Sequence, residues 1–321
     1  MHSPKQYHTP LSLSQNFIRS PQLIEKILKK SSLPRKFPIV DIGAGKGMIT
    51  RTLLPEFEKI VAIEPDKQLF EMLEKEFQGR VNVVKGDVRF MKIPLYEKYS
   101  MIGNIPFAYT ADIVKKVLFG SSNVQSAVLF MQRDAAYRFL GQPHDKESMQ
   151  SLRVKFEWNA DILHRCKRED FIPQPRVNVV VVEFSRKWQL SIQEARIVDN
   201  LLAFMFGGWW KTAAEGFYAF LPKALVNREL SLLKVPLNAT IRELPFELWE
   251  AIFRLLEKNP ASAQKIKGAS MVLKSRQDTL QKRHRTTYRP QEKTRDSAKR
   301  SFSGKFRPKK SGFSRKSRSP R

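Results

Sequence analysis

Apolar positions in this chain come in short blocks set between amphipathic stretches. Ser20-Pro21 precedes Leu23, Ile24, Ile27 and Leu28, which reads as an N-cap, a proline at the first helical position and one apolar helix face. An alternation follows: a strand over 39–42, a glycine-rich turn, a helix through Leu53 and Leu54, and a strand over 59–63. It continues with a helix over 69–77, strands over 81–84 and 100–103, a helix over 111–119 and a strand over 126–131. Strand-sized apolar runs divided by helical patterns predict a parallel α/β sheet.

Two β-rich stretches, 154–158 and 177–184, flank Phe171-Ile172-Pro173-Gln174-Pro175 and predict an antiparallel pair that finishes the sheet near Arg186. Between Ser191 and Lys258, residues such as Leu248, Ile252, Leu255 and Leu256 fall at helical spacing, which predicts a small helical domain. Beyond Asn259-Pro260 apolar residues are too sparse to offset the entropy of ordering, so a disordered tail is expected. The expected division is a catalytic α/β domain over 1–187, a helical RNA-binding domain over 188–258 and a disordered Lys/Arg-rich tail over 259–321.

Charge changes the picture. The 321 residues carry a formal net charge of +27, far beyond what solubility requires, so a polyanion is the first expected partner, nucleic acid ahead of an anionic membrane surface. From residue 260 on there are 20 Lys or Arg and 3 Asp or Glu, which places well over half of the net charge in a fifth of the chain. Phe302, Phe306 and Phe313 lie between those basic residues, a composition suited to phosphate neutralisation with occasional base stacking. A single cysteine, Cys166, excludes an intramolecular disulfide and a Cys-based metal cluster and fits a reducing cytoplasm. The five histidines show no ligand spacing, and no metal is expected. Apolar runs are strand-sized, so neither secretion nor membrane insertion is expected.

Candidate chemistry begins at Asp41-Ile-Gly-Ala-Gly-Lys-Gly47, which follows an apolar strand and opens a helix. Glycines there let backbone approach a cofactor at the carboxyl edge of the sheet. The spacing is G-x-G-x-G rather than the G-x-G-x-x-G of dinucleotide sites, which suits S-adenosylmethionine, a cofactor without a pyrophosphate. A purely structural glycine turn has the same appearance. Glu64 ends the next strand about 20 residues on, where an acid can accept both ribose hydroxyls. Asp87, in Gly86-Asp87-Val88 after the third strand, can accept from the cofactor's adenine amino group, or simply turn a loop.

Asn104-Ile105-Pro106-Phe107 ends the strand expected beside the first one. Methyl transfer to an adenine N6 needs the amino lone pair drawn out of the ring. The Asn104 side-chain oxygen and the Ile105 carbonyl can accept the two amino hydrogens, Pro106 stiffens the turn, and Phe107 offers a face to an extruded base. Taken alone, the same four residues read as an Asx turn with Phe107 in the core.

Together these residues resemble the ribosomal RNA adenine N6 dimethyltransferases, and among them the erythromycin-resistance methylases of the large subunit. The markers are Ser14-Gln15-Asn16-Phe17, Asp41 to Gly47, Ile63-Glu64-Pro65-Asp66, Gly86-Asp87-Val88, Asn104 to Phe107, and Phe171 to Val177, spread over residues 10–258. The resemblance implies a seven-stranded, Rossmann-like methyltransferase sheet with a small C-terminal helical domain. It also implies S-adenosylmethionine contacts by Asn16, Ile18, Gly43, Gly45, Glu64, Asp87 and Asn104, and stacking of the target adenine by Phe107 with help from Phe171. Ile105 and the segment 242–253 are similar to the resistance group, whereas small-subunit enzymes usually carry Asn-Leu-Pro-Tyr. For that group the implied substrate is one adenine of 23S rRNA at the peptide exit tunnel, whose methylation blocks macrolide, lincosamide and streptogramin B binding. The enzyme is expected to act as a monomer without an obligate protein partner. The alternatives are a small-subunit rRNA dimethyltransferase acting in ribosome maturation and a non-catalytic nucleic-acid-binding factor on the same fold. The long basic tail departs from many members of the family.

Overall fold

The computed structural model describes residues 16–93 and 97–287. A two-residue strand β1 (Phe17–Ile18) leads into helix α1 (Pro21–Lys30), which has the proline at its first turn and buries Leu23, Ile24, Ile27 and Leu28. Then come β2 (Ile39–Ile42), α2 (Met48–Leu53), β3 (Ile60–Glu64), α3 (Lys67–Phe77), β4 (Asn82–Lys85) and β5 (Tyr99–Asn104). Helix α4 (Thr110–Phe119), strand β6 (Val124–Gln132) and helix α5 (Arg133–Leu140) complete the alternating part.

Within each strand the side chains alternate between two apolar layers, as the two-residue period of a strand requires. Val40, Ile42, Val61, Ile63, Met101, Ala127, Leu129 and Met131 join one core with α4 and α5. Ile39, Ile60, Ala62, Ile102, Val128 and Phe130 join the other with α1, α2 and α3. The result is a three-layer sandwich whose strands β2, β3, β5 and β6 are buried on both faces, as central strands of a parallel sheet must be.

The sheet continues through helix α6 (Met149–Glu157) into strand β7 (Trp158–Arg165), then a short strand β8 (Phe171–Ile172) and β9 (Val179–Arg186). Its order is β4-β3-β2-β5-β6-β9-β7, with the first five strands parallel and β9 antiparallel to both neighbours. The switch point lies between β2 and β5, where register pairs Ile42 with Gly103. A Cβ on Gly103 would come within 2.6 Å of the Ile42 carbonyl oxygen, so only glycine allows this pairing at the cofactor edge.

One expected strand is a helix. Residues 154–158 alternate apolar and polar as Val154, Phe156 and Trp158, yet through Glu157 they belong to α6. The helix wins because Ser148 and Ser151 form a reciprocal capping box, and because its two apolar stripes serve different partners. Val154 packs with the sheet core, while Leu152 and Phe156 face the helical layer beyond it. Removing the cap in Ser148→Ala should lower stability by about 1 kcal/mol, read as a fall in the urea midpoint; an unchanged midpoint would count against the cap.

That layer consists of α7 (Ile192–Gly207), α8 (Ala213–Tyr218), α9 (Lys223–Leu232) and α10 (Phe246–Lys258). It does not stop at Asn259 as the composition suggests. Asn259 caps helix α11 (Pro260–Lys265), Ile266 is buried in the helical core, and α12 (Ala269–Thr287) begins with Ser270 bonded to Asn200. The expectation of a disordered tail from 259 is therefore corrected for 260–287: buried Ser262 and Ile266 are too few to register in composition, but they dock a helix already started by the Asn259 cap. The rest of the expected tail, 288–321, lies outside the described residues.

Candidate active site

The carboxyl ends of β2, β3 and β5 converge on one cleft, open to solvent. It is lined by Asn16, Phe17, Gly43, Gly45, Glu64, Pro65 and the run Asn104, Ile105, Pro106, Phe107. Eight of the residues singled out from sequence thus meet in space, at the topological switch point where open α/β sheets bind ligands.

The glycine loop is shaped by backbone. Gly45 has φ of +57°, and a Cβ there would sit 3.1 Å from the Phe17 ring. A side chain would be both strained and crowded, so the loop presents a bare concave surface. Its position is set by Glu64, 1% exposed at the end of β3. The Gly45 N–H donates to Glu64 Oε2 at 2.7 Å and the Asp66 N–H to Oε1 at 2.9 Å. Burial raises the Glu64 carboxyl above its usual range, and those two N–H groups oppose the shift. Each carboxylate oxygen retains further lone-pair capacity, so Glu64 anchors the loop and can still accept from a diol.

Beneath the loop lies Asp41, fully buried, whose Oδ2 accepts from the Thr50 hydroxyl at 2.6 Å while Oδ1 finds no partner. Burial pushes this carboxyl up to about 7, with the nearby Glu64 charge adding to the rise and the Thr50 bond opposing it. Thr50 was missed in the sequence, although it stands in the first turns of the helix that the glycine loop opens.

On the opposite wall, the Asn104 Nδ2 donates to the Asn16 carbonyl at 2.5 Å. Only an N–H can make that bond, so the amide's orientation is fixed and Oδ1 is its acceptor. The Ile105 N–H donates to the Phe130 carbonyl at 3.2 Å, and its side chain is 1% exposed in the sheet core. Pro106 starts the short turn 107–109, in which Phe107 is partly buried and packs on the second core. The structure therefore combines the two sequence readings of this motif: a turn with its aromatic partly packed, and a cleft wall carrying an oriented amide.

Three expected contact residues do not line the cleft. Ile18 is 6% exposed and pairs with Phe171 across β1 and β8. Phe171 is itself fully buried in the core, so a stacking role for it is corrected: its ring is consumed by packing under β1. Beside Phe107, a second aromatic reaches the cleft: Phe17, one residue away in the paired strand, with the Lys46 ammonium 4.9 Å above its ring. Strand alternation is the signal for this, since Phe17 and Ile18 must face opposite ways. Asp87 follows β4, and Arg89 grips its carboxylate through Nη2 to Oδ2 at 2.5 Å and Nε to both oxygens at 3.0 Å.

Away from the cleft, His164, Cys166 and Asp170 place ligand atoms within 4.8 Å of one another, a grouping the sequence spacing did not suggest. Burial pushes the Cys166 thiol up to about 12, and burial first, then Lys26 and Lys30, lowers His164.

The donor set of the cleft fits S-adenosylmethionine. A bare glycine cradle, a strand-end carboxylate with spare acceptor capacity and the apolar Pro65 and Ile105 suit a nucleoside, and an oriented Asn suits an amino group beside it. Among solved structures, the 23S rRNA methyltransferase ErmE superposes with a TM-score of 0.68 at 22% identity, over 75% of this chain and 100% of that one. A dimethyladenosine transferase from Plasmodium falciparum gives 0.59 at 19% identity, over 75% and 97%. Both likenesses show the fold.

Among curated proteins, the probable ribosomal RNA small subunit methyltransferase A of Thermococcus gammatolerans is 30% identical over 197 residues, 61% of this chain and 69% of that protein. The ribosomal RNA small subunit methyltransferase A of Nostoc sp. is 25% identical over 261 residues, 76% and 96%. Residues 8–258 match the family described as ribosomal RNA adenine dimethylase. The cleft, the sheet around it and this match lead to one conclusion: the chain belongs to the ribosomal RNA adenine dimethylase family, enzymes that methylate rRNA adenine using S-adenosylmethionine.

Proposed function

We propose that the chain methylates N6 of one adenine in 23S rRNA and thereby confers resistance to macrolides, lincosamides and streptogramin B. The observation that carries the large-subunit reading is the motif Asn104-Ile-Pro-Phe107 at the end of β5, whose Ile105 is similar to the resistance methylases. S-adenosylmethionine supplies a methyl group already activated on a sulfonium. The chain's own residues do the rest. Glu64 and the glycine loop hold the nucleoside and Asp87 accepts from its adenine amino group. Asn104 Oδ1 and the Ile105 carbonyl accept the target's amino hydrogens. No strong base is needed, because the proton leaves after the nitrogen has become cationic.

The second reading, dimethylation in the small subunit, is favoured by the curated relatives just named. Labelled methyl transfer to naked 23S rRNA, naked 16S rRNA and intact subunits, followed by mapping, separates the two. One N6-methylated adenine in naked 23S rRNA supports the proposal; label confined to small-subunit RNA overturns it.

The basic C-terminal residues are assigned to RNA binding on their charge. Because α11 and α12 are folded, the informative truncation begins at residue 288 rather than inside them. Deleting 288–321 should weaken RNA binding and flatten its salt dependence with cofactor affinity intact; an unchanged salt slope would refute the assignment. Phe107→Ala should weaken RNA binding by about 1–3 kcal/mol, the usual worth of one base stack, seen as a raised KM for RNA.

A further inference from the structure

Arg89 stands at a junction that the sequence reading did not notice. Its side chain is 11% exposed, and its guanidinium lies 3.6 Å from the Tyr109 ring centroid and 4.9 Å from that of Phe90. At the same time it forks onto Asp87, whose Oδ1 also accepts from the Arg89 backbone N–H at 2.9 Å. Tyr109 closes the turn that begins at Pro106, directly after Asn104 and Ile105. It also packs against the sheet core, so it is a firm surface rather than a loose ring.

We propose that Arg89 is a positioning residue that locks the Asp87 carboxylate in one orientation and ties it to Tyr109, joining the cofactor's adenine site to the loop that holds the target base. The inference rests on the reading of Asp87 as the acceptor for the cofactor's 6-amino group. Three features support it. A carboxylate held by a fork has its plane fixed, and with it the direction it presents to a neighbouring group. Stacking on Tyr109 spends the guanidinium's face while leaving its edge for Asp87, so one side chain serves both neighbours. A guanidinium does not deprotonate in proteins, so the cation is permanent at any working pH. Lysine could supply the charge, but neither the fork nor the flat stacking surface.

Binding of S-adenosylhomocysteine and of S-inosylhomocysteine, which carries a 6-oxo group in place of the 6-amino group, tests this on the full chain. Arg89→Lys should bind S-adenosylhomocysteine about tenfold more weakly. The inosyl analogue should lose less, so the preference for the amino ligand shrinks. In turnover, KM for S-adenosylmethionine should rise with kcat unchanged. Tyr109→Leu should act in the same direction, and the double variant should be no worse than Arg89→Lys alone, the non-additivity of residues acting as one unit. Equal weakening of both ligands, or unchanged S-adenosylhomocysteine affinity in Arg89→Lys, overturns the proposal. Asp87→Ala separates the two levels, because it removes both acceptor oxygens. If it leaves the ligand preference intact, Asp87 is not the adenine acceptor and the underlying reading fails; if it removes the preference while Arg89→Lys does not, only the role of Arg89 fails.

Discussion

Asn104→Ala lowers kcat for methyl transfer by about 10²- to 10³-fold, the size of effect seen when one preorganised polar contact to a reacting group is removed. Binding of S-adenosylhomocysteine should change far less, and the thermal midpoint should stay near that of the parent. Asn104 makes one hydrogen bond with its Nδ2, to the Asn16 carbonyl, so the alanine variant loses an anchor as well as the acceptor Oδ1. Asn104→Asp distinguishes them, because it keeps an acceptor oxygen while it replaces the donor with a charged carboxylate. If the acceptor carries the catalysis, the aspartate variant retains more activity than the alanine variant. Full activity in Asn104→Ala would refute the assignment.

The second large effect concerns stability rather than rate. Asp41 is fully buried with its carboxyl pushed up to about 7 from a model-peptide value of 3.8. The folded protein therefore holds a proton there that the unfolded chain releases. The contribution to stability is complete below pH ~4 and is lost as pH rises through about 7, amounting to about 4 kcal/mol across that window. Asp41→Asn cannot ionise, and its side-chain oxygen can still accept from Thr50. The difference in unfolding free energy, variant minus parent, should thus grow in favour of the variant between pH 4.5 and pH 8. Urea titrations at both pH values measure it, and other carboxylates cancel in the difference. Parallel behaviour of the two proteins would show that Asp41 titrates normally.

The parallel core was legible because its strands are buried on both faces and read as unbroken apolar runs: residues 39–42 are β2 as read, and 100–103 lie inside β5. Glu64 and Asn104 were legible for a related reason, since a polar residue closing such a run stands at the sheet's carboxyl edge. Where the reading failed, a tertiary partner decided the outcome. Phe156 looks like a strand residue until its rings of contact, Phe246 and Phe253, are known, and both are remote in sequence. Phe171 resembled a base platform, but β1 covers it, and the same pairing brings Phe17 to the cleft. Arg89 carries no motif at all; its meaning comes from Tyr109, which only the fold brings near.

Helix α6 imposes a restriction on how this enzyme can evolve. Its Val154 stripe belongs to the sheet, its Leu152 and Phe156 stripe belongs to the helical layer, and Arg153 adds ion pairs to Glu157 beside it and Asp199 on α7. The layer is consequently not an interchangeable module. A recombination joint near residue 187, in the connection between β9 and α7, would look harmless in the chain yet would pair one parent's α6 with another parent's α7 and α10. Changes in the helical layer are therefore confined to its outer surface, or must arrive together with compensating changes in a helix that also supports the sheet.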